Sequence, residues 1–162
     1  MPLVPHAAAF RAGASEGLRI TAHAGEEDGA DMMWSALDDL GAERIGHGVK
    51  AVTDPRLVDR LARDRVALEM CPTSNLQTGV VASRLAHPVD RLLRADVPVT
   101  VSTDARTVSG VTLADERELL RATFGWREDE WRTCQLNALA AAFVDDATRS
   151  ALGPAITRDL AR

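Results

Sequence analysis

The chain has 162 residues, 46% of them apolar and 27% charged, the composition of a single soluble globular domain, which argues against disordered, collagen-like or fibrous structure. Its 24 Asp+Glu stand against 19 Lys+Arg for a formal net charge of -5, and the scattered basic residues argue against nucleic-acid binding by phosphate neutralisation. No apolar run approaches the roughly 18 to 20 residues of a membrane helix, the start Met1-Pro2-Leu3-Val4-Pro5-His6 lacks the plan of a signal peptide, and Cys71 and Cys134 have no CxxC spacing, so a reducing, cytoplasmic location with no membrane association is expected.

Four short apolar runs bounded by turn residues each precede a stretch of helical periodicity, the order expected of βα units in a parallel sheet. A helix over Ala7 to Ala14 leads to the first run, Leu18 to Ala22, which ends at His23-Ala24-Gly25-Glu26. A helix with Met32, Met33, Trp34 and Leu37 on its apolar side follows. The second run, Arg44-Ile45-Gly46, ends at His47-Gly48, and Thr53-Asp54-Pro55 offers N-cap candidates with Pro in the first turn of a helix carrying Leu57, Val58 and Leu61. The third, Val66 to Met70, is broken by a loop over Cys71-Pro72-Thr73-Ser74-Asn75, with a helix from about Pro88 to Ala95 beyond it. The fourth, Val97 to Ser102, ends at Thr103-Asp104. Thr112 with Asp115 forms a capping-box pattern opening a helix to about Thr123, and an Ala-rich helix from about Asp129 to Phe143 closes the pattern. No repeat or linker divides the chain, so residues 1–162 are read as one domain.

His23 and Glu26, His47, the Cys71 to Asn75 loop and Asp104 therefore each fall just after a strand candidate. In a parallel βα sheet the carboxyl ends of the strands form the ligand face, so these residues are expected on one rim. His23 and Asp104 supply N and O donors suited to a divalent ion such as zinc, Glu26 would face a substrate beside it, and His47 could take or hold a proton from the attacking water. Each segment also has an ordinary structural reading: a helix N-cap for His23 to Glu26 and for Ser102 to Asp104, a glycine turn for Ile45 to Gly48, an Asx- or ST-turn loop for Cys71 to Asn75. None of these readings explains the ordered set.

Thr21-Ala22-His23-Ala24-Gly25-Glu26, Arg44-Ile45-Gly46-His47-Gly48, Cys71-Pro72-Thr73-Ser74-Asn75 and Ser102-Thr103-Asp104, in this order, resemble the motifs of the adenosine deaminase family, zinc aminohydrolases built on a TIM barrel. Gly17-Leu18-Arg19, Gln77-Thr78-Gly79 and Gln135-Leu136-Asn137-Ala138 resemble the flanks, and the similarity runs from about residue 10 to about residue 143. The resemblance implies an α/β chain corresponding to the last four βα units of a partial TIM (β/α)8 barrel with C-terminal helices. It implies His23 and Asp104 as zinc ligands, Glu26 as the proton donor to purine N1 and His47 as the residue that orients or deprotonates the attacking water. The expected function is hydrolytic deamination of adenosine or a related 6-aminopurine nucleoside to the 6-oxo product plus ammonia, in purine metabolism.

The family's first-strand His-x-His pair is absent from the four histidines His6, His23, His47 and His87. The chain thus resembles the carboxyl-terminal half of such an enzyme, with an incomplete Zn2+ site and expected self-association or pairing with a missing amino-terminal half. Where many members have a second acidic residue that contacts the purine, this chain has Ala105, which keeps adenine deamination open as an alternative. A non-catalytic half-barrel is the alternative from another class.

Overall fold

The structure is a computed structural model and describes residues 3–159. The ends of the expected 1–162 domain, Met1, Pro2 and Leu160 to Arg162, lie outside the described residues, and so does the start of the segment read for a signal peptide.

A 3-10 turn leads into α1 (Ala7–Ser15) and β1 (Thr21–Ala24), followed by α2 (Ala30–Asp38), β2 (Arg44–His47), α3 (Pro55–Arg63), β3 (Ala67–Met70), α4 (Pro72–Gln77), α5 (Val89–Arg94), β4 (Val99–Val101), α6 (Arg106–Ser109), α7 (Leu113–Phe124), α8 (Glu128–Ala141) and α9 (Asp146–Asp159). The four strands form one parallel sheet in the order β1-β2-β3-β4. This is an α/β fold of four successive βα units, as the alternation of apolar runs and helical stretches requires. No described helix is long and apolar enough to cross a membrane.

Alternation along the strands divides the sheet into two unlike faces. Ile20, Ala24, Ile45, Leu68, Met70, Val97, Val99 and Val101 belong to one buried cluster with Met33, Leu37, Leu57, Leu61, Val89 and Leu92 from the helices. The other face is polar. There Arg44 pairs with Glu69 at 3.3 Å, and the exposed Thr21 hydroxyl donates to Glu69 at 3.3 Å.

Capping sets several helix starts where the sequence places them. The Asp54 side chain accepts from the Arg56 amide at 3.0 Å with Pro55 in the first turn, and Thr112 and Asp115 form a reciprocal capping box. Other boundaries differ from the expected ones. The first strand is displaced toward its carboxyl end, so His23 lies inside β1 and Leu18 stands exposed ahead of it. The segment expected as a loop over Cys71 to Asn75 opens α4, because Pro72 fits the first helical turn and the Glu116 carboxylate accepts from the Thr73 amide. The helix expected to reach Phe143 stops at Ala141, where the Arg44 guanidinium donates to the last carbonyl at 3.2 Å and stacks on the Phe143 ring. The short α6 and the terminal α9 have no counterpart among the expected elements. Gly153 and Pro154 inside α9 are residues that punctuate helices, and the Arg149 guanidinium ties its first turn to carbonyls at the end of α8.

Leu68 is fully buried at the centre of the packed face. Leu68→Ala should lower the unfolding free energy by about 2–5 kcal/mol with an unchanged denaturant slope, read by urea titration. A loss under about 1 kcal/mol would show that the sheet and helices are not packed as described.

Candidate active site

The parallel register sets His23 opposite Gly46 and Ala24 opposite His47. Gly46 leaves room for the imidazole, since a Cβ there would lie 3.2 Å from His23 Nδ1. The strands then turn sharply. Gly25 and Gly48 adopt φ 70° and 68°, and a Cβ on Gly48 would meet the Leu68 Cδ2 at 2.8 Å, so a side chain is disfavoured there twice over.

Among the described residues, four non-glycine residues have positive φ: His47, Arg65, Asp96 and Asp104. Arg65 and Asp96 follow the caps of α3 and α5, the usual place for a left-handed residue, with the Val66 and Val97 amides bonded back to Leu61 and Leu92. His47 and Asp104 have no such excuse. They occupy rim positions at the ends of β2 and β4, and uncommon backbone conformations of this kind concentrate where side chains are held for function.

At the rim the His47 Nε2 and His23 Nε2 atoms are 2.8 Å apart, and the His47 Nε2 lies 3.5 Å from Glu26 Oε2. His23, Glu26 and His47 each offer a ligand atom within 4.8 Å of the others. Asp104 stands outside that triplet. Its carboxylate accepts from the Ser74 hydroxyl at 2.5 Å, which holds its pKa down, helped by the nearby His47 and His23 rings. Of the four residues expected to act, the structure therefore joins three directly and sets Asp104 beside them.

The support for this arrangement comes from α4. Asn75, fully buried, donates through Nδ2 to Glu26 Oε1 at 3.2 Å and to His47 Nδ1 at 3.0 Å. His87, also buried, contacts the other end of the Asn75 amide at 3.2 Å. Both oxygens of the fully buried Glu116 accept from the Thr73 amide, at 3.2 and 3.3 Å. Burial pushes the Glu116 carboxyl up and the His47 imidazole down, the latter against the opposing pull of Glu26. It pushes His87 down to about 4.

Ser74, Asn75, His87 and Glu116 are the participants that sequence reading left without a role. Ser74 and Asn75 lie within the flagged Cys71 to Asn75 segment. His87 belongs to no strand end, and Glu116 sits in a charged helical stretch whose pattern reads as solvent-facing.

The chain can be compared with known proteins on this geometry. The family model described as adenosine deaminase matches residues 2–158. The adenosine deaminase of Vibrio cholerae is 46% identical over 136 residues, covering 84% of this chain and 41% of that protein. Among solved structures, adenine deaminase from Arthrobacter aurescens is 31% identical with a TM-score of 0.95, over 99% of this chain and 49% of that one. An amidohydrolase from Burkholderia ambifaria with bound Zn is 26% identical with a TM-score of 0.87, over 96% and 44%. The chain thus spans about two fifths of the length of the curated relatives it matches.

Cys71, at the foot of the site, and Cys134 are buried free thiols, and burial raises each to about 12. Neither should react with a thiol reagent at pH 8 in the folded protein, and both should react once it is denatured. Rapid labelling of Cys71 in the native state would show that the site floor is open, and rapid labelling of Cys134 that the core around α8 is.

Proposed function

The chain belongs to the adenosine deaminase family, and from that premise we propose that it forms the carboxyl-terminal part of a zinc-dependent site for hydrolytic deamination of a 6-aminopurine nucleoside. The reaction replaces the exocyclic amino group by oxygen from water and releases ammonia. The observation that carries this reading is the meeting of His23, Glu26 and His47 at one sheet rim, with Asp104 beside them.

The donors present suit zinc, which takes imidazole nitrogen and carboxylate oxygen. His23 and Asp104 are the proposed ligands. The Nε2 atoms of the two imidazoles approach to 2.8 Å, within hydrogen-bonding distance. The assignment of His23 as ligand and His47 as the group facing the water rests on the resemblance of their motifs to those of the family. When bound, the ion supplies Lewis acidity that makes water a nucleophile near neutral pH.

Glu26, about a quarter exposed, gives a proton to the ring nitrogen beside the attacked carbon and so makes that carbon more electrophilic. His47 orients the attacking water with the Nε2 that points at His23 and Glu26. The site needs donors beyond His23 and Asp104, since catalytic zinc ordinarily has three protein ligands. Among the described residues the outer edges of β1 and β4 pair with no further strand, and unpaired parallel edges favour self-association or pairing with an amino-terminal half. The reading places the protein in the cytoplasm and in purine metabolism. Adenine is the second reading of the substrate, favoured by Ala105 and by the likeness to an adenine deaminase.

In an assembly that includes the complementary half, Glu26→Gln should lower kcat by roughly 100- to 10,000-fold with zinc retained. Turnover within a few-fold of wild type would remove Glu26 from the chemistry, and no turnover by the unmutated assembly on either adenosine or adenine would favour a non-catalytic half-barrel.

The chain alone should lose zinc on dialysis against a mild chelator, followed by metal analysis. Stoichiometric zinc surviving that treatment would show that a residue other than His23 and Asp104 completes the site.

A further inference from the structure

His87 lies outside the rim motifs, between the 3-10 turn Arg84–Ala86 and α5, and its imidazole is buried. Its hydrogen bonds form part of a chain whose polarity is fixed at both ends. At the outer end the Val89 backbone amide, which can only donate, reaches His87 Nδ1 at 3.2 Å. That nitrogen is bare, and because burial keeps the ring neutral at pH 7, its proton is on Nε2.

His87 Nε2 therefore donates to Asn75 Oδ1 at 3.2 Å, which turns the amide nitrogen of Asn75 toward the site. At the inner end a Glu26 carboxylate oxygen accepts one amide hydrogen at 3.2 Å. The other goes to His47 Nδ1 at 3.0 Å. That nitrogen is bare in turn, and the proton of neutral His47 stands on Nε2, aimed at His23 Nε2 at 2.8 Å.

We propose that His87 is a positioning residue which, by holding the Asn75 amide in one orientation, fixes the proton of His47 on the nitrogen that faces the reacting groups. For catalysis this rests on the deaminase reading, where it makes His47 a donor to the attacking water; the proton placement itself does not depend on that reading. The alternative arrangement is well defined. With the amide reversed, Asn75 Oδ1 would face His47 Nδ1 and select the Nδ1–H tautomer, leaving Nε2 bare. It would also cost the bond from Asn75 Nδ2 to Glu26 Oε1, so Glu26 and His87 act on the same choice from opposite ends. Removing His87 leaves Asn75 Oδ1 buried without its donor and weakens that choice.

The test is the ring-nitrogen NMR of the 15N-labelled full chain, because the two tautomers place the protonated and bare nitrogens at well-separated shifts. In the wild type His87 and His47 should each show a single Nε2–H tautomer. In His87→Phe, which fills the space but donates nothing, the two His47 nitrogen signals should move toward one another as the second tautomer becomes populated. In His87→Gln, whose amide can donate to Asn75 Oδ1, they should return toward the wild-type separation. An Nδ1–H tautomer at His87 or His47 in the wild type overturns the proposal, and so does a folded His87→Phe protein with unchanged His47 signals. Should His87→Phe fail to fold, the wild-type tautomers and the His87→Gln spectrum decide. Turnover is not part of the readout, so an inactive assembly would count against the deaminase reading alone.

Discussion

The parallel register between β1 and β2 is the constraint on which the rest of the site depends. It sets His23 against Gly46 and Ala24 against His47, and only then can two imidazoles from different strands come within hydrogen-bonding distance. A slip of one residue would turn the side chains of a strand to its other face. Ile45 would then leave the buried cluster and Gly46 would enter it. The apolar face that stabilises the sheet therefore also enforces the alignment of the rim, and burial energy is converted into positional accuracy at the site.

The polar groups gathered at the rim would be costly without partners, since each buried donor or acceptor left unpaired forfeits about 1–3 kcal/mol. α4 meets much of that requirement. Its first turn is anchored by Glu116, its Ser74 hydroxyl reaches Asp104 and its Asn75 amide reaches both Glu26 and His47. Because one short helix touches three of the four candidate residues, a displacement of α4 would disturb them together. The left-handed conformations of His47 and Asp104 are held against their intrinsic cost by the same contacts.

The four βα units, the caps at Asp54 and Thr112 and the rim placement of His23, Glu26, His47 and Asp104 were legible in the sequence, because period, capping chemistry and strand ends are local signals. Strand limits were less so: Leu18 looks like a strand residue by composition, yet it projects to the solvent side, and His23 completes the strand. α4 was hidden because Pro72-Thr73-Ser74-Asn75 has loop-like composition, and its helix is stabilised by Glu116, more than 40 residues away. The roles of Asn75 and His87 depend on contacts between segments, which no spacing rule encodes. α9 escaped because Gly153 and Pro154 outweigh, in any local reading, the tertiary ties made by Arg149.

In the proposed site His23 and Asp104 hold the ion while His47 and Glu26 remain free to act on water and substrate. The decisive measurement is a crystal structure, with anomalous scattering, of the zinc-loaded assembly that includes the complementary half. An anomalous peak is expected within about 2.0–2.2 Å of a His23 ring nitrogen and an Asp104 oxygen, with His47 still bonded to Asn75. An ion held by His47 and Glu26, with Asp104 left on Ser74, would contradict it.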